Sequence, residues 1–119
     1  MGLFSRRSKR SAAVVPATGN ADDDHLLALL ASTPGGLDAP RDWIHYLYCA
    51  TGDGAAAMER AAVAAGWTVR RVHEGEGIVA SRQDLAVTPV AVVETREFFE
   101  ALAASVEGGE YDGWEASAG

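Results

Sequence analysis

Apolar residues along this chain change their period several times, and each change marks an element. Leu26, Leu27, Leu29 and Leu30 recur at helical spacing behind Asp22, Asp23 and Asp24. The three acids are expected to supply an N-cap and first-turn charges that complement the helix dipole. Pro34-Gly35-Gly36 ends that helix. From Asp42 to Ala50 the period becomes two. Trp43, His45, Leu47 and Cys49 share one face, and Ile44, Tyr46 and Tyr48 share the other. Both faces are largely apolar, which predicts a central strand covered on both sides.

Thr51-Gly52-Asp53 then caps a second helix, Gly54 to Ala65, rich in alanine and stopped by Gly66. Trp67 to His73 and Ile78 to Gln83 read as strands joined by the turn Glu74-Gly75-Glu76-Gly77. Thr88 and Pro89 fit the N-cap and first position of a third helix. Its buried stripe is expected at Val92, Phe99, Leu102 and Val106, with Glu94, Glu97 and Glu100 towards water. Gly108-Gly109 closes it, and Tyr111 to Glu115 forms the last strand. Helix followed by βαββαβ predicts an α+β chain: a ferredoxin-like four-stranded antiparallel sheet with helices on one face and an extra N-terminal helix.

The last strand is unusual. Strands avoid Asp and Gly, yet Tyr111-Asp112-Gly113-Trp114-Glu115 places both between large aromatics. A Gly inside a strand marks a bulge or a close backbone approach. Plain alternation puts Tyr111, Gly113 and Glu115 on one face and Asp112 with Trp114 on the other. Tyr-Asp-Gly-Trp-Glu after Gly108-Gly109-Glu110 resembles the terminal signature of the ribonuclease E inhibitor family RraB, the regulators of ribonuclease activity B. His45-Tyr46-Leu47-Tyr48 is similar to a strand run of the same family. The resemblance extends from Asp22 to Glu115. One departure is Pro34-Gly35-Gly36-Leu37, where the family often carries an acid after the glycine.

Charge is divided unevenly. Residues 1–20 hold Arg6, Arg7, Lys9 and Arg10 and no acid, whereas the rest holds six arginines against all 17 acids, so a basic leader precedes a body of about −11 in a chain of net −7. Residues 1–21, with Pro16 and Gly19-Asn20 as breakers, read as a disordered leader, and 22–119 as one domain. An acidic body repels phosphate backbones and suits a basic protein partner. The single cysteine, Cys49, excludes an internal disulfide and fits a reducing cytosol. No apolar run approaches the roughly 20 residues needed to span a bilayer. Arginine-rich, alanine-rich composition is associated with a GC-rich bacterial genome.

Candidate chemistry is sparse. Tyr46, Tyr48, Tyr111 and Trp114 would make a base-stacking surface only if exposed together; the strand Ile78 to Gln83 lacks the aromatics an RNA-recognition sheet uses. Core or helix-covered rings are the expected reading of Tyr46 and Tyr48. His45, between Trp43 and Leu47 on its face, reads as a satisfied, semi-buried histidine. His73-Glu74-Gly75-Glu76 reads as a solvated turn with too few ligands for zinc. Cys49 has no activating base nearby in sequence and reads as a small buried apolar residue. Asp112 and Glu115, placed on opposite faces, cannot form a carboxylate dyad. No set of nucleophile, base and orienting group is found.

The reading is therefore a non-enzymatic, cytoplasmic binding protein without cofactor or metal. The resemblance implies a ribonuclease E-type endoribonuclease as partner and a role in RNA turnover. The expected contact residues are Glu94, Glu97, Glu100, Asp112, Trp114 and Glu115. The alternatives are a small-molecule-sensing βαββαβ domain that dimerises through its sheet, and a weak RNA-binding module. Monomer and dimer remain open.

Overall fold

Each helix begins where a side chain can satisfy a free backbone N–H. In a computed structural model, which describes residues 17–117, the helices are α1 (Ala21–Ala31), α2 (Gly52–Ala64) and α3 (Pro89–Ala104). Thr51 and Thr88 cap α2 and α3 as the sequence predicts, each accepting from the third residue on. The cap of α1 differs from expectation. Asn20, not an aspartate, accepts from the Asp23 amide. Thr18 adds a second tie, donating from its amide and its hydroxyl to the Asp24 carboxylate at 2.8 Å. The expected leader lies outside the described residues as far as residue 16.

The strands are β1 (Trp43–Cys49), β2 (Thr68–Arg71), β3 (Glu76–Arg82) and β4 (Glu110–Ala116). They form one sheet in the order β2-β3-β1-β4, with every neighbouring pair antiparallel. The architecture is a mixed α+β one of three helices and a four-stranded antiparallel sheet. Residues directly opposite in the ladder share a face, so the register fixes two sets. Trp43, His45 and Leu47 stand with Ala80, Ile78 and Val69, and also with Trp114 and Tyr111. This set meets Phe99 of α3, Met58 of α2 and Leu27 of α1 in the core.

The opposite set is Ile44, Tyr46 and Tyr48 with Val79, Ser81, Arg70, Glu115 and Glu110. The expectation that β1 is covered on both faces fails here. Trp43, His45 and Leu47 are fully buried, whereas Ile44 and Tyr46 are half-buried and Tyr48 is 36% exposed. Their apolar character does not come from a second layer: the described helices all pack on the His45 face.

The bulge expected at Gly113 is present, and it overturns the assignment of faces on β4. The ladder pairs Leu47 with Tyr111 and His45 with Trp114, a shift that leaves Asp112 and Gly113 together opposite Tyr46. Gly113 has φ of +95°, a conformation that disfavours any side chain. The extra residue turns Tyr111 and Trp114 to the same, helix-covered side. Asp112 and Glu115 then share the open side. At the other end of the strand, a Cβ on Gly109 would collide with the Ala103 carbonyl, so that close approach requires glycine.

Candidate functional site

Two charged residues occupy positions on buried helical stripes. Asp23 lies four and seven residues before Leu27 and Leu30, and Arg96 lies between Val92 and Phe99. Their elements bring them together. The Arg96 guanidinium donates to both Asp23 carboxylate oxygens, from Nε at 2.6 Å and Nη2 at 2.8 Å. Trp114 Nε1 also donates to Asp23 Oδ1 at 2.8 Å. Asp23 is 1% exposed, and these three bonds satisfy its carboxylate inside the core. The bonds hold the Arg96 guanidinium above its ordinary pKa, and its Nη1 reaches Glu100 at 3.0 Å.

Arg96 also lies over the Tyr111 ring, 4.9 Å from its centroid. The Tyr111 hydroxyl meets His45 Nδ1 at 2.7 Å. Burial pushes the tyrosine pKa up, against the pull of Arg96. Burial, with a smaller contribution from the Arg96 charge, lowers the His45 pKa to about 3, so the ring is neutral in the folded protein. His45 is fully buried rather than semi-buried, and among the described residues its Nε2 finds no hydrogen-bond partner. Its ring meets Trp67 edge-on at 4.9 Å and lies 4.6 Å from Phe99. The sequence reading of a satisfied histidine therefore holds for one nitrogen only.

Asp23, Arg96, Trp114, Tyr111 and His45 form one polar chain through the core and tie α1, α3, β1 and β4. Thr18, Asn20, Glu97 and Glu100 surround its outer end in a cleft of about 290 Å³. The chain supplies no accessible nucleophile, and its histidine is enclosed by rings. Arg41, also buried, makes a second tie, donating to Thr33 Oγ1, the Gly36 carbonyl and the Ser117 carbonyl. It pins the Pro34-Gly35-Gly36 turn to the end of β4.

The expected contact residues are divided by the fold. Glu94, Glu97 and Glu100 are exposed on α3. Asp112 and Glu115 are exposed on the open sheet face, where Glu115 accepts from the Tyr46 hydroxyl at 3.2 Å. Trp114 is 7% exposed and its N–H is taken by Asp23, which makes it part of the core. The four aromatics weighed as a stacking surface are likewise separated: Tyr46 and Tyr48 face outward, Tyr111 and Trp114 inward. Cys49 is half-buried, its thiol directed to the Thr51 carbonyl at 3.2 Å. Among the described residues no group of three His, Cys, Asp or Glu could hold a metal ion, and no helix is long and apolar enough to cross a membrane.

Sequence reasoning missed Asp23, Arg96 and Arg41. For the first two a signal was available, since a charge on an apolar stripe demands a partner. Arg41 precedes a strand and carried no such mark.

Compared with models of known protein families, residues 20–116 match the one described as RraB, regulator of ribonuclease activity B. A search of curated proteins finds no match.

Proposed function

The chain belongs to the RraB family, the regulators of ribonuclease activity B, and on that premise we propose that it binds a ribonuclease E-type endoribonuclease and lowers its activity without chemistry of its own. The observation that carries this reading is the family match across nearly the whole described body. Several features agree with it. The polar chain from Asp23 to His45 is buried and serves as a structural tie. Exposed acids are available on α3 and β4, at Glu94, Glu97, Glu100, Asp112 and Glu115. The body carries a surplus of acid that suits a basic, arginine-rich protein segment and disfavours RNA. The strand order β2-β3-β1-β4 supports reading the domain as a ferredoxin-like sandwich with an added N-terminal helix.

In this account the protein works by occluding or remodelling its partner, in the cytoplasm of a bacterium. The test is affinity capture from lysate after nuclease treatment, with the retained proteins identified. Retention of a ribonuclease E-type enzyme that survives the nuclease supports the reading. Retention that disappears with the RNA contradicts it.

A further inference from the structure

Among the described residues, no element covers one face of the sheet, and its chemistry is not that of a bare solvent face. Ile44, Tyr46 and Tyr48 run down its centre on β1. Glu110 stands opposite Tyr48 in the ladder, and Glu115 stands opposite Ile44 while bonding the Tyr46 hydroxyl. Asp112 joins them from the bulge. Among the described residues Glu110, Asp112 and Glu115 make no salt bridge, whereas Glu100 on α3 is paired with Arg96. The Tyr46 pKa is raised, first by partial burial and then by Glu115, so the hydroxyl and carboxylate are coupled.

We propose that this open face, along β1 and β4, is a docking surface for an extended arginine-bearing segment of a protein partner. The reading deepens the proposed function and rests on it for the partner's identity. Arginine is the residue that fits. Its planar guanidinium stacks on a tyrosine ring and bonds a carboxylate through two parallel N–H groups, and both groups lie side by side here twice. The first pair is Tyr48 with Glu110, and the second is Tyr46 with Glu115. Glu110 and Glu115 pair with β1 positions four residues apart, about 13 Å at ~3.3 Å per residue. An extended segment with arginines four residues apart presents both on one side at that spacing. Arg70, on β2 and in line with Val79 and Tyr46 across the sheet, places its charge within reach of Tyr46 and so biases such a segment towards the β4 side.

The experiment is an amide-shift NMR titration of the full chain with a short glycine-serine peptide carrying two arginines four residues apart. Controls carry them three apart, or carry lysines. The expected shifts cluster at Tyr46, Tyr48, Glu110, Asp112 and Glu115, with the four-residue arginine peptide binding tightest. Glu110→Gln with Glu115→Gln should weaken it about fivefold, while Glu94→Gln with Glu97→Gln leaves it unchanged. Shifts centred on α3, or no preference among the peptides, would overturn the proposal. So would movement of the same amides on simple dilution, which makes a second copy the occupant. Movement on deleting residues 1–16 would make the chain's own basic stretch the occupant, with the same consequence. The paired variants are then tested against a ribonuclease E-type enzyme. If wild type binds the enzyme and the sheet variants bind equally well, the surface is wrong and the function stands. If wild type ignores the enzyme but places the peptide on this face, the function is wrong and the surface stands.

Discussion

At the residue scale, the structure assigns weight to Trp114 and Asp23 for one reason: each satisfies the other inside the core. Truncating a buried Trp typically costs ~3–5 kcal/mol, a large part of the ~5–15 kcal/mol that holds a domain together. Trp114→Ala is therefore expected to lower the melting temperature sharply, and calorimetry checks it. An unchanged melting temperature would make the indole an exposed anchor. Asp23→Ala leaves the Arg96 guanidinium without its carboxylate, and a loss of about 3 kcal/mol is expected in urea unfolding. Asp112→Asn, by contrast, should leave melting unchanged, because that side chain is exposed in the bulge. His45 adds a pH dependence. Its pKa is about 3 when folded, against an ordinary 6.5. As pH falls from 6.5 towards 3, the unfolded chain binds a proton that the folded chain refuses. Stability should then drop by up to ~1.4 kcal/mol per pH unit within that window. Unfolding free energies that stay level between pH 6 and 4 would show that the ring accepts a proton in place.

At the scale of elements, the order of helices and strands was legible because periods and caps are local. Thr51, Thr88 and Pro89 announced two helix starts, and the nearly continuous apolar run from Trp43 to Cys49 announced the central strand. The faces were less legible. An apolar open face such as Ile44, Tyr46 and Tyr48 looks the same in sequence as a covered one. Only the packing of three helices on the other side separates the two. On β4 the glycine gave the bulge, but the facing of Asp112 and Trp114 followed from its register, which depends on the pairing with His45 and Leu47. The buried Asp23–Arg96 pair spans 73 positions in sequence, too far for spacing to suggest. Gly113→Ala tests the bulge directly. A Cβ there meets no other atom within 4 Å, so the cost is purely that of the positive φ. A loss of about 1 kcal/mol is expected, and a neutral outcome would mean the strand readily runs in plain alternation.

At the scale of the whole molecule, charge decides which partners are favoured. A chain of net −7 whose acids crowd the body attracts basic segments over a distance set by salt. On the proposed function, binding to a ribonuclease E-type partner should weaken from low to physiological ionic strength, as the Debye length shrinks towards ~8 Å. Charge reversal at Glu110 and Glu115 should speed dissociation as well as slow association, because both carboxylates are proposed direct contacts. Affinity independent of salt, measured by surface-based kinetics, would place the interface on apolar ground. The most direct measurement is the rate at which a purified ribonuclease E-type enzyme cleaves RNA as this protein is titrated in. The account predicts a saturable fall in rate, with a complex of the two proteins that persists without RNA. A cleavage rate unchanged at saturating protein, or cleavage by this chain alone, would contradict it.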